Sequence, residues 1–277
     1  MSVAISASDV KKLRDITGAG MMDCKKALAE SGGDIDKAIE FLRKRGQKMA
    51  TKRADRDAKE GVVLALVSDD HKRGVIVKLS SETDFVAKNE KFIELAESFA
   101  TLALEKLPES VDALLGLDYN GITVADKIAE QVGVIGEKIE LAAYEKLEAA
   151  QVAPYIHMGN KAGVLVGLSK DNDEFFDAGR DVAMQVAAMH PIAVDKDGVD
   201  TKTMEKEIEI GKEQARAEGK PDALLEKIAM GKLNKFYKEK TLLNQQFVKD
   251  SSFNVGSFLK SKDKDLTVTD FKHVTLG

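Results

Sequence analysis

Thr83-Asp84-Phe85-Val86-Ala87-Lys88-Asn89 follows the apolar run Val75-Ile76-Val77-Lys78-Leu79 and opens a stretch with helical periodicity through Phe92, Ile93, Ala96, Phe99 and Ala100. The segment therefore marks the passage from a strand to a helix, with Thr83 or Asp84 as the helix cap. Phe85 then falls in the first helical turn, beside a carboxylate. Two uses fit that placement. The ring is either a staple packing the helix start onto its own sheet, or an anchor that fills a pocket on another protein.

Upstream, Gly61-Val62-Val63-Leu64-Ala65-Leu66-Val67 and Gly74 to Ser80 read as two strands joined by the polar run Ser68 to Arg73, a hairpin. The same plan recurs downstream. Tyr155 to Met158, a turn at Gly159 to Ala162, and Gly163 to Ser169 repeat the hairpin, and Glu174 to His190 repeat the helix, stopped by Pro191. Gly74 aligns with Gly163 and Ser80 with Ser169 at one constant offset, which points to an internal duplication. That offset sets Asp173 opposite Asp84 but Glu174 opposite Phe85. The acid belongs to the shared scaffold as a cap, whereas the aromatic is peculiar to the first copy, although Phe175 stands one residue on.

Residues 8 to 46 carry three short helical patterns, broken at Gly18-Ala19-Gly20 and at Ser31-Gly32-Gly33, with Ile35, Ala38, Ile39 and Leu42 on one face of the third. Met21 and Met22 point about 100° apart on a helix, so at least one is expected at the surface. From Arg43 to Lys59 the composition turns basic, which reads as a helical or flexible linker; no aromatic is interleaved to stack a base. Residues 200–218 and 222–238 form two charged helices around Glu218-Gly219-Lys220-Pro221, an antiparallel hairpin, or coiled coil. Its sparse apolar seam fits either a solvated arm or a homodimer contact. The expected fold class is α+β. The expected units are a three-helix module at 1–46, a basic linker at 47–60, a first core subdomain at 61–148, and a second at 149–277 with the hairpin inserted at about 195–240.

Composition narrows the function. The chain has 277 residues, 43% hydrophobic and 32% charged, with a net charge of −5 that argues against a broad nucleic-acid face. Cys24 is the sole cysteine, which fits a reducing compartment. No apolar run approaches the ~18 residues of a membrane span, and Met1 to Asp9 lack the layout of a secretion signal. The expectation is a cytoplasmic protein. Neither a P-loop nor a dinucleotide-binding glycine pattern is present, and His71, His157, His190 and His273 lack metal-ligand spacing. No metal, cofactor or bound nucleotide is expected. Cys24 precedes two lysines, so an activated thiol stands beside a packed one. The residues describe a binding protein rather than an enzyme.

The TDFVAKN run, together with Thr17 to Leu28 (TGAGMMDCKKAL), closely resembles the bacterial elongation factor Ts family, and the resemblance covers almost the whole chain. It implies a guanine nucleotide exchange factor for the translational GTPase elongation factor Tu, opening with a ubiquitin-associated-like three-helix module. By this resemblance Asp84 and Phe85, framed by Thr83 and Val86, disturb the magnesium bound by the GTPase. Leu13, Met21, Met22, Ile135, Gly136 and His157 make further contacts. Longer family members carry a helical tail after the last strand, which has no counterpart here. The rival reading is an RNA- or ribosome-associated scaffold using the basic 43–59 stretch.

Overall fold

The computed structural model describes residues 5–276; Met1 to Ala4, where the expected first module begins, and Gly277, where the last expected subdomain ends, lie outside them. The fold class is α+β. Two compact units form, one from Met1–Leu64, Val77–Glu145 and Thr275–Gly277, the other from Ala65–Ile76 and Lys146–Val274.

Three helices come first: α1 (Ala7–Thr17), α2 (Met21–Glu30) and α3 (Ile35–Arg53). Ser6 and Asp34 cap α1 and α3 by accepting from the N–H groups of Asp9 and Lys37. Gly18, in the left-handed region at φ 71°, ends α1. Their common core is small: Leu13, Cys24, Ala27, Leu28 and Ala38 are fully buried, with Ile35, Ile39 and Leu42 packed around them. α3 does not stop at the start of the basic stretch but continues to Arg53.

β1 (Glu60–Val67), β2 (Arg73–Ser81) and, later, β5 (Ile139–Glu148) make one three-stranded sheet in the order β1-β2-β5. Between β2 and β5 the chain forms the single turn α4 (Asp84–Ala87), then α5 (Glu90–Lys106), α6 (Val111–Leu115), a two-stranded ribbon of β3 (Asp118–Tyr119) and β4 (Ile122–Thr123), and α7 (Val124–Ile135). α5 buries Phe92, Leu95, Ala96, Phe99 and Ala103, the spacing of one helical face. α7 packs along α3 at glycines. A Cβ on Gly46 would sit 2.5 Å from the Ala129 carbonyl oxygen, and one on Gly133 would sit 2.9 Å from the Gly46 Cα. Arg43 Nε at 2.9 Å from Glu130 and Gln47 Nε2 at 3.2 Å from Asp126 flank that crossing.

In the second unit, β6 (Gln151–His157) and β7 (Ala162–Leu168) form an antiparallel hairpin whose register runs from Gln151 opposite Leu168 to His157 opposite Ala162. β8 (Val268–Thr275) completes the sheet on the far side of β7. β7 is buried at every position, as a central strand covered on both faces requires. α8 (Asp173–Met189) contributes Ala178, Val182, Ala183 and Val186 to a core shared with Val164, Val166 and Leu168. Phe175 lies in that core at 9% exposure, and Phe176 stacks on His71 with ring centroids 4.1 Å apart.

α9 (Thr201–Ala217) and α10 (Asp222–Lys240) pair through the short link at Gly219, and α11 (Val255–Lys262) precedes β8. Gly211 lies against Ala229, and Ala215, Leu225 and Leu233 are buried in the seam. A buried amide network returns the chain to the core. Gln185 Nε2 donates to Gln245 Oε1 and the Gln246 carbonyl, while its own Oε1 accepts from the Val248 N–H. The Gln185 amide is thereby satisfied at both its nitrogen and its oxygen.

Candidate functional site

The segment Glu82 to Lys88 is built as a turn braced from behind. α4 has only one inward residue, Ala87, while Phe85 is 83% exposed, the most exposed large apolar side chain among the described residues. The staple alternative is thereby excluded: little of the ring is covered by the chain itself. Val86 and Asp84 are half-exposed beside it. Asp84 Oδ2 lies 2.6 Å from Lys88 Nζ, one helical turn on. The Lys88 ammonium, by hydrogen bond and by charge, holds the Asp84 carboxyl below its ordinary range, so it is ionised at neutral pH. Asn89 then caps α5 by accepting from the Lys91 N–H at 3.0 Å.

Behind the turn, Glu137 accepts twice from Thr83, from the N–H at 3.0 Å and from the hydroxyl at 2.7 Å. Its neighbour Lys138 donates its N–H to Glu82 Oε1 at 2.6 Å, and Arg53 Nη1 reaches the same oxygen at 2.6 Å. Burial pushes the Glu82 carboxyl up, but the Lys138 N–H and the Arg53 guanidinium outweigh it and the net shift is downward. Lys138 Nζ also donates to the Ala54 carbonyl at 2.9 Å, binding the end of α3 to the same place. Neither Glu82 nor Glu137 stands out in the sequence. Their partners lie 26 to 56 residues away, and the sole local signal is an acid directly after Ile135-Gly136.

The other expected contact residues divide by exposure. Ile135 ends α7, and Gly136 caps it in the left-handed region at φ 83°, which throws the chain back so that Glu137 meets Thr83. Ile135 and Gly136 are thus brought beside the Thr83–Val86 turn. Met21 and Met22 are 60% and 73% exposed, because α2 spends its inward face on Cys24, Ala27 and Leu28. Leu13 is the exception. It is fully buried in the three-helix core and presents no surface in the free chain. His157 ends β6 in the second unit, half-buried, with Nδ1 3.0 Å from the Tyr155 hydroxyl. In that unit, burial first, and then His190 and His157, hold the His273 imidazole below its ordinary value.

Other features of the sequence find structural roles. Cys24 is buried, and its Sγ lies 3.5 Å from the Ala19 carbonyl, fixing the glycine turn in front of Met21. Burial pushes its thiol up, opposite to an activated nucleophile. In the basic stretch, Arg43 pairs with Glu130, Arg45 with Asp23, and Arg53 with Glu82. These cations are already neutralised within the unit. Among the described residues no group of three or more His, Cys, Asp or Glu is placed to hold a metal ion, and no helix is long and apolar enough to cross a membrane.

Comparison of the sequence with known proteins points to a family. The family model described as Elongation factor TS matches residues 82–277, beginning at Glu82 itself. The elongation factor Ts of Flavobacterium psychrophilum is 54% identical over 273 residues, covering 99% of this chain and 99% of that protein. Those of Christiangramia forsetii and Amoebophilus asiaticus are 54% and 53% identical, each over 99% of this chain and 99% and 100% of their own lengths. Alike from end to end, and matched by the family model from the braced turn onward, the chain belongs to the elongation factor Ts family.

Proposed function

We propose that this chain is a guanine nucleotide exchange factor for elongation factor Tu. It binds the GDP form of that GTPase in the cytoplasm and promotes release of GDP for GTP, with no nucleotide, cofactor or chemistry of its own. The observation that carries this reading is the exposed Phe85 ring on a turn held rigidly from behind.

Phe85 enters a pocket beside the GTPase's nucleotide site, with Thr83 and Val86 framing it and Asp84 accepting hydrogen bonds from groups displaced there. An aromatic ring cannot coordinate a hard cation, so its part is steric. Mg²⁺ bridges the phosphate oxygens and holds the surrounding loops, and shifting those loops loosens both ion and nucleotide. Exchange is then linkage: a factor that prefers the empty GTPase must weaken GDP by the same ratio. A thousandfold effect needs only about 4 kcal/mol of coupling, within reach of a few buried contacts.

Met21, Met22, Ile135, Gly136 and His157 extend the contact, and Leu13 supports it from within the module. The three helices at the start are read as a ubiquitin-associated-like module. The two strand-strand-helix sets are read as a duplicated core whose second copy turns its aromatic inward at Phe175; the acid the copies share caps neither helix, since Thr83 and Asn172 hold the N-cap positions and Asp84 and Asp173 follow them. The α9–α10 hairpin, inserted in the second copy, closes its seam on itself at Gly211 and Ala229, which supports an arm complete without a second copy.

The test is release of fluorescent GDP from elongation factor Tu. Saturating chain is expected to speed it about a thousandfold; release at the intrinsic rate would refute the reading.

A further inference from the structure

We infer that Glu137 and Glu82 are positioning residues for exchange, a reciprocal pair of carboxylate clasps that set the angle at which Phe85 is presented. This rests on the reading of Phe85 as the wedge and extends it to the groups that aim it.

The geometry is unusual in one respect. Thr83 is the N-cap of α4, and at that position a threonine hydroxyl ordinarily accepts from an N–H of the first turn. Thr123 does so for α7, accepting from the Asp126 N–H. Thr83 makes no such bond; its hydroxyl is turned away and given to Glu137. A four-residue helix has little stability of its own, so giving up the cap leaves the orientation of the turn to whatever grips it from outside.

That grip is two-sided. Glu137 takes the N–H and hydroxyl of Thr83, while one residue before Thr83 the Glu82 carboxylate takes the N–H of Lys138, one residue after Glu137. Two adjacent residues on each segment thus exchange carboxylate-to-N–H bonds, a charge-assisted set stronger than neutral hydrogen bonds. Ser81 Oγ adds a bond to the Thr83 carbonyl at 3.0 Å, and Arg53 ties Glu82 to the end of α3. The turn bearing Phe85, the Ile135–Gly136 loop and the long helix of the N-terminal module therefore meet at two side chains. A partner that engages the loop or the module presses on the same clasp that orients the ring, and a rigidly held ring loses less freedom on docking.

Neither glutamate need touch the partner, so the test must separate aiming from contact and from folding. Stimulated release of labelled GDP from elongation factor Tu is measured for the full chain carrying Glu137→Ala, Glu137→Gln, Phe85→Ala, and the Glu137→Ala/Phe85→Ala pair. Glu137→Ala is expected to lower the maximal stimulated rate about tenfold, since small misplacements of a reacting or wedging group are costly. Glu137→Gln keeps an acceptor for the Thr83 N–H and offers a donor to its hydroxyl oxygen, and should return to within about threefold of the parent. In the Phe85→Ala background, Glu137→Ala should change the rate by less than about twofold, because the ring it aims is gone.

Glu137→Ala at the parent rate, or effects that multiply in the double variant, would overturn the positioning role. Phe85→Ala at the parent rate is a different pattern and would remove the wedge together with its support. Should Glu137→Ala lose its helical circular dichroism, Glu137→Asp, which keeps the charge but not the reach, takes its place in the cycle with the same outcomes expected.

Discussion

Replacing Phe85 by alanine is expected to slow stimulated GDP release from elongation factor Tu by about thirtyfold or more, with no loss of thermal stability. The two halves of that expectation have separate grounds. In the free chain the ring is 83% exposed and α4 buries only Ala87, so removing it leaves no cavity in the core. Surface changes of that kind usually alter stability by less than about 0.5 kcal/mol. In the complex the same ring becomes a buried anchor, and truncating such an anchor typically costs about 2 kcal/mol or more, which is the thirtyfold. Stopped-flow release of labelled GDP, alongside thermal denaturation of the two chains, checks both halves. A variant as active as the parent would remove the ring from the mechanism; one that was slow because it melted early would show the turn to be part of the fold.

The largest effect on stability is expected at Gly46. Glycine inside a helix ordinarily costs about 1 kcal/mol relative to alanine, so Gly46→Ala in an isolated α3 would be stabilising. Here the added methyl would stand 2.5 Å from the Ala129 carbonyl oxygen and 3.4 Å from the Glu130 Cα, both backbone atoms of α7 that cannot rotate away. The helices must separate instead, which loosens the Arg43–Glu130 and Gln47–Asp126 contacts on either side. Overpacking of this kind costs about 1 to 3 kcal/mol, and the upper end is expected because backbone meets backbone. Gly231→Ala in α10 is the control, with nothing within 4 Å of the added methyl, and should gain about 0.5 to 1 kcal/mol. Urea denaturation of both variants decides the matter; a stabilised Gly46→Ala would contradict the close crossing of α3 and α7.

Gly46 also shows where the sequence stops being readable. A glycine among lysines and arginines looks like the place where a helix frays into a linker, because nothing nearby announces the α7 backbone that needs the space. α3 is continuous for a tertiary reason, and its basic residues are there to meet Asp23, Glu130 and Glu82. The turn around Phe85 was legible because its signals are local: a strand pattern, a cap, an aromatic where a helix starts. Whether that ring faced in or out was not, since it depends on Ala87 rather than Phe85 filling the inward position. The Glu137 and Glu82 clasps join residues 54 and 56 positions apart, and two ordinary-looking glutamates carry no mark of their partners. The β3–β4 ribbon, two residues a side, is too short for any alternating pattern to reveal. Leu13 errs in the other direction: the resemblance names it as a contact, but its helical face with Val10 turns it wholly into the small core. Met21 and Met22, by contrast, follow from helical geometry, and the core of α2 leaves both of them outside.

Exchange of this kind is energetic at root: the chain must prefer a GTPase without nucleotide to the same GTPase holding GDP, since a ligand of equal affinity for two states shifts neither. Titrating the chain into nucleotide-free and into GDP-bound elongation factor Tu measures that preference directly. Binding to the empty form is expected to be tighter by about a thousandfold; equal affinities for the two forms would rule out exchange by this route.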